Sequence, residues 1–212
     1  MSINTFAELK TAIANFLARD DLTDRIPEFI ELAEGRINRE LETREQEKRA
    51  TATLSSGNEY VSLPADLRQI RSVKLNQTPI VTLTYLSPDQ LDQEYSSNSS
   101  GTPASYSIVG QEIKIRPKPD STMTAEIIYI GNVDALSDSN TSTTLLIRSP
   151  DIYLYGALHS AYDYLLDTAN AQLYNQKFNN ALESVRYDEQ RSTYSQGRLQ
   201  MRSDYQRQIS LR

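Results

Sequence analysis

Residues 16–47, FLARDDLTDRIPEFIELAEGRINRELETREQE, constrain the fold more than any other stretch of the chain. Ile26, Phe29 or Ile30, Ala33, Ile37 and Leu41 recur at spacings of three and four, which places them along one narrow face of a helix. Glu28, Glu31, Glu34, Arg36, Arg39, Glu40 and Arg44 fall on the other faces. Thr23 is placed to cap this helix, and Pro27 sits in its first turn, where a missing N–H costs nothing. The spacing predicts a helix from about Thr23 to Glu45. A shorter helix over residues 4–19 precedes it, with Phe6, Leu9, Ile13 and Phe16 or Leu17 as its stripe and Thr5/Glu8 as a capping box.

From Arg49 to Ile130 the period changes to short alternating runs broken by Gly, Pro, Asn and Ser, the pattern of strands and turns. Strands are expected at Ala50–Leu54, Glu59–Leu63, Gln69–Leu75, Ile80–Thr84, Ser105–Val109, Glu112–Arg116 and Thr124–Ile130. Gly110-Gln111 reads as a two-residue hairpin of the glycine-first type, and Ser87 opens a short helix to about Tyr95. Residues 96–103 and 136–144 are small and polar and read as loops. The helical pattern returns at Ser149-Pro150 and runs to about Asp167. A last helix starts near Thr168 and carries Tyr174, Phe178, Ala181 or Leu182, and Val185 as its stripe.

The expected architecture is α+β. Residues 1–47 supply one helix pair and 136–190 a second, together forming one bundle. Residues 48–135 form a β-rich insertion, and 191–212 an extended polar tail. In that tail Met201, Tyr205 and Ile209 are spaced by four, with Leu211 as a further apolar anchor. Arg198, Arg202, Arg207 and Arg212 surround them. Such a tail is either a frayed terminus or an arm that orders on a partner.

Little in the chain points to catalysis. It has no Cys, which removes disulfides, thiol nucleophiles and Cys-held metals. The one histidine, His159, lies on a tyrosine-rich helix face between Tyr155 and Tyr162, and no nucleophile-elbow motif accompanies it. No phosphate-binding glycine motif is present, and no cofactor or metal is expected. The formal charge of −6 argues against a general affinity for nucleic acid. The 13 tyrosines against no tryptophan suit either a thin core or a wet interface between subunits. No run is long and apolar enough for a membrane span, and no signal peptide is expected.

Several landmarks in fixed order carry a resemblance. After IPEFIELAEGRINREL come Tyr60-Val-Ser-Leu-Pro64-Ala-Asp66-Leu, Leu83-Thr-Tyr85-Leu-Ser-Pro88-Asp-Gln-Leu91, Gly101-Thr-Pro103-Ala-Ser-Tyr106 and Pro150-Asp-Ile-Tyr153-Leu-Tyr155-Gly156-Ala-Leu158. In these the chain resembles the head–tail adaptor (connector) proteins of tailed phages over roughly residues 5–190. The resemblance implies a structural virion protein made in the host cytoplasm, which forms with itself a closed cyclic ring of twelve copies between the portal protein and a downstream tail or nozzle protein. DNA would pass through the lumen without specific binding, as the negative body also suggests. By this analogy Arg198, Met201, Arg202, Tyr205, Arg207, Ile209, Leu211 and Arg212 would reach the portal. Glu31, Glu34, Arg36, Arg39, Tyr155, His159 and Tyr162 would face neighbouring subunits. Three other roles remain open at the level of sequence: a different minor tail or neck protein, a DNA-binding module using the tail arginines, and a peptidoglycan hydrolase using a carboxylate pair.

Overall fold

The computed structural model describes residues 2–19, 21–97 and 99–193. Helix α1 (Phe6–Leu17) starts where Thr5 and Glu8 close a capping box, and ends as Ala18 turns left-handed at φ +50°. One tight turn over Thr23–Arg25 leads into α2 (Ile26–Glu40), so Thr23 opens that turn and is not the residue that caps the helix. Helix α2 is also shorter than its pattern suggested. Leu41 leaves helical geometry (φ −112°, ψ 138°) with its side chain fully buried, and a second capping box, Thr43 with Gln46, bends the chain through Arg44–Gln46.

Ten strands and one short helix follow: β1 (Glu47–Leu54), β2 (Tyr60–Ser62), β3 (Leu67–Leu75), β4 (Val81–Thr82), β5 (Thr84–Tyr85), α3 (Pro88–Glu94), β6 (Ser100–Gly101), β7 (Ser105–Val109), β8 (Glu112–Arg116), β9 (Lys118–Pro119) and β10 (Met123–Gly131). One sheet has the order β1-β10-β3-β4 and a second the order β2-β8-β7-β5; β6 and β9 form a small parallel pair. Between β7 and β8, Val109 faces Glu112 and Gly110 takes φ +63°, the positive angle that the first turn position of this hairpin demands. The expected strand Ile80–Thr84 is split. Leu83 is buried and donates to Val73 O, and the chain there passes from the first sheet to the second. Leu54, Val73, Leu75, Ile113, Ile115 and Ile127 form a dry core in this β part. Each such side chain contributes roughly 1.5–3 kcal/mol by leaving water.

Residues 132–143 return to α4 (Thr144–Arg148), α5 (Pro150–Tyr164) and α6 (Thr168–Thr193). Helix α4, absent from the sequence reading, is one turn capped by the Thr143 hydroxyl. Helix α5 packs on α6, α2 and α1, and a second core joins Leu9, Ile13, Ile30, Ile37, Tyr153 and Phe178. Gly156 marks the tightest approach. A Cβ there would lie 2.8 Å from the Cβ of Ala33 and 3.0 Å from the Phe178 ring.

Candidate functional site

Three surfaces carry the polar groups that the sequence singled out. The first is the outer side of α2. Glu31 and Arg39 are exposed there, Leu32 is 60% exposed, and the Arg39 side chain folds back over Gly35, 3.6 Å from where a Cβ would stand. The groove so formed measures about 640 Å³ and is lined also by Glu28, Glu34, Asn38 and Ala135. Glu34 departs from the expectation of a solvent-facing charge. It is only 8% exposed, and its Oε1 accepts the Leu136 N–H at 2.8 Å. Burial pushes its carboxyl up to about 7, against the opposing pull of the Leu136 bond and with the help of Glu31. One turn on, the side chain of Asn38 accepts from Val133 N at 2.8 Å. Glu34 and Asn38, four apart on α2, thus pin the returning segment onto the helix. Arg36 turns sideways into the α2–α6 seam, where it bonds Glu40 and Asn179 and lies 4.4 Å over the Phe178 ring.

The second surface is the α5–α6 seam. Tyr155, His159 and Tyr162 come together there, each half-buried. Tyr162 stacks on Tyr174 with ring centres 5.3 Å apart, and Tyr155 meets the same ring at 6.2 Å. Lys177 stands over both Tyr155 and Tyr174. His159 donates from Nδ1 to the Ala171 carbonyl at 3.1 Å, which closes α6 against α5. Much of what the sequence offered as an outward face is therefore used inside the chain.

The third surface went unseen in the sequence: the junction between helices and sheets. Arg148 bridges Glu45 (3.3 Å) and Glu189 (2.7 Å), and Glu189 also accepts from Arg44 N. Arg186 donates to the Glu40 carbonyl, and Arg68 to that of Leu41 at 3.2 Å. On the far side Lys48 holds Asp66 and Asp134, each at 2.7 Å, and Tyr129 donates to Asp66. A cleft of about 750 Å³ opens beside this network, with Arg39, Glu42, Glu47 and Arg71 on its walls. These partners lie up to 146 residues apart in sequence, so no local pattern announces them.

The tail residues Arg198, Met201, Arg202, Tyr205, Arg207, Ile209, Leu211 and Arg212 lie outside the described residues. Among the described residues no group of three or more His, Asp or Glu is placed to hold a metal ion, and no helix is long and apolar enough to cross a membrane. The three surfaces are thus a charged helix face with an exposed Leu32, a largely internal aromatic seam and a mixed-charge cleft.

Comparison with curated proteins finds no match. Comparison with known families finds one that spans residues 4–202, the SU10 adaptor protein. That match takes in the two helices at the start, the β part and the returning helices, in agreement with the landmarks of the sequence. The chain therefore belongs to the SU10 adaptor protein family, a family of structural phage adaptors.

Proposed function

We propose that this adaptor closes into a ring of twelve copies between the portal and the next tail component of a tailed phage. The observation that carries the reading is the family match over residues 4–202, which leaves little of the chain for another role. In this reading residues 1–47 and 136–190 act as one helical body, residues 48–135 as an insertion directed outward or toward the tail, and residues 191–212 as an arm that reaches the portal. Ring contacts are heterologous, so one face of each copy meets a different face of the next. The outer side of α2, with Glu31, Leu32 and Arg39, supplies one of those faces. Tyr155, His159 and Tyr162 add the exposed rim of the aromatic seam. The net charge of −6 favours a channel in which DNA phosphate is repelled and slides.

Mass photometry of the portal ring with this protein tests the assembly. Added mass of one 24.0 kDa copy per portal subunit is the expected result. A portal mass unchanged by excess adaptor refutes it. A variant ending at Arg191 tests the arm in the same assay, with loss of binding expected.

A further inference from the structure

We propose that in the free chain the basic C-terminal segment, residues 198–212, docks in cis along the outer groove of α2. The inference concerns the isolated chain and holds whether or not a portal later takes the same segment.

The groove has an ordered set of charges. From the end of α2 nearest the sheets toward its start the exposed charges are Arg39, then Glu31 and Glu28, with Leu32 exposed among them; Glu34 lies buried beneath, held by Leu136 N. Among the described residues Glu28 pairs with Arg25 at 3.4 Å, and both are largely exposed. From Asp204 onward the segment has the complementary order: Asp204, then Arg207 and Arg212, with Ile209 and Leu211 between the arginines. Laid along α2, Asp204 meets Arg39, the later arginines meet the glutamates, and the two aliphatic side chains fall opposite Leu32.

The geometry allows the path. Helix α6 runs in the same direction as α2: Asn179 is bonded to Arg36, and further on Arg186 is bonded to the Glu40 carbonyl. It ends at Thr193, about 10 Å beyond Arg186 at 1.5 Å per residue. The chain from there to Asp204 spans up to about 35 Å when extended, more than enough to turn back to Arg39. On the way the chain passes the mixed-charge junction cleft, where Glu42 and Glu47 are exposed beside Arg39 and Arg71. Tethering keeps the local concentration of the segment high, so a few weak contacts are sufficient. A neighbouring copy that uses the same face of α2 has to displace the arm, which makes release of the arm a step in ring closure.

Hydrogen exchange read by mass spectrometry on the full chain tests this. Amides in 198–212 should exchange on the order of ten times more slowly than in the isolated peptide, as expected for two or three exposed ion pairs plus apolar contact. The double variant E28K/E31K should return them to the peptide rate, and adding R207E/R212E should restore the protection. The substituted glutamates lie on the open face of α2, so the fold is retained. Free-peptide rates in the parent chain overturn the proposal, as does protection unmoved by E28K/E31K. Protection that grows with protein concentration alongside a dimer mass also overturns it, in favour of docking on a second copy.

Discussion

Replacing Glu34 by Gln isolates the cost of one buried charge. The amide carbonyl of glutamine can still accept the Leu136 N–H, so the pin between α2 and the returning segment is kept while the charge is removed. In the folded chain the Glu34 carboxyl is raised from 4.5 to about 7, mainly by burial. The folded state therefore binds this proton more tightly than the unfolded state. Its contribution to stability is fully present below about 4.5 and is lost as pH rises toward and through 7. At about 1.4 kcal/mol per unit the shift is worth at most ~3 kcal/mol. The value of about 7 already includes the Leu136 bond; solvent in the groove screens part of the rest, so a net ~1–2 kcal/mol is expected. Urea unfolding of the parent and Glu34→Gln chains at pH 5, 6, 7 and 8 measures the difference directly, and titrating groups not coupled to Glu34 cancel. The variant should match the parent near pH 5 and exceed it by ~1–2 kcal/mol at pH 8. A difference that is the same at both ends, or a variant that is weaker at pH 8, refutes the assignment of a buried, uncompensated carboxylate.

Gly156→Ala should destabilise the helical part by about 1–3 kcal/mol in thermal or urea unfolding, because the new methyl meets Ala33 at 2.8 Å and Phe178 at 3.0 Å; a neutral result would mean that the three helices separate easily. Gly110→Ala places a side chain at φ +63° in an open turn and should cost about 1 kcal/mol from backbone strain alone, without changing the β7–β8 register seen by NMR. Lys48→Met leaves Asp66 and Asp134 without their shared cation. For Asp66, burial raises the carboxyl, but the bonds from Lys48 and Tyr129 outweigh it and hold the group below its ordinary value. That contribution is present above the usual carboxylate range and lost as pH falls through the folded value, so the variant should flatten the acid limb of the stability profile; an unchanged acid limb would exclude this cluster as a source of it.

Periodicity resolved the helices well where one face alone is buried. The stripe Ile26, Phe29, Ile30, Ala33 and Ile37 is buried in the structure as its spacing implies. It also misplaced Glu34, because a charged residue at the flank of a stripe reads as solvent-facing until a distant segment, here Leu136, folds over it. The end of α2 was overrun for a related reason. Leu41 continues the apolar spacing, yet it reaches the core from an extended backbone. Among the strands, Ser105–Val109 and Glu112–Arg116 have the bounds that their glycine turn implies, but Ser105, Tyr106 and Ser107 are buried in succession, so alternation holds only along the start of the second strand. The Ile80–Thr84 run gave no hint that Leu83 divides it between two sheets, since a switch of sheet is a tertiary event without local chemistry. The junction network was illegible altogether. Arg148, Glu189 and Arg44 look like ordinary surface charges until the two ends of the chain meet. The order of several short landmarks, and not any single residue, is what carried the family.

The β part is joined to the helices by two chain crossings, Glu47 at the start of β1 and Gly131 at the end of β10, and these strands are paired along eight residues from Glu47↔Ile130 to Leu54↔Met123. Mechanically this is a laced strap with a third ply, because β3 runs along the other side of β10 as far as Leu67↔Gly131. A single strand would act as a swivel. Strands laced side by side, about 5 Å apart, resist twisting and in-plane swing. Pull on the far end is shared among the plies, and any unequal pull loads the lacing in shear, where many hydrogen bonds must yield together. Arg68 on β3 adds a bolt at the root of the strap by its bond to the Leu41 carbonyl, so a load on the β part is handed to the end of α2 and not to the two covalent crossings alone.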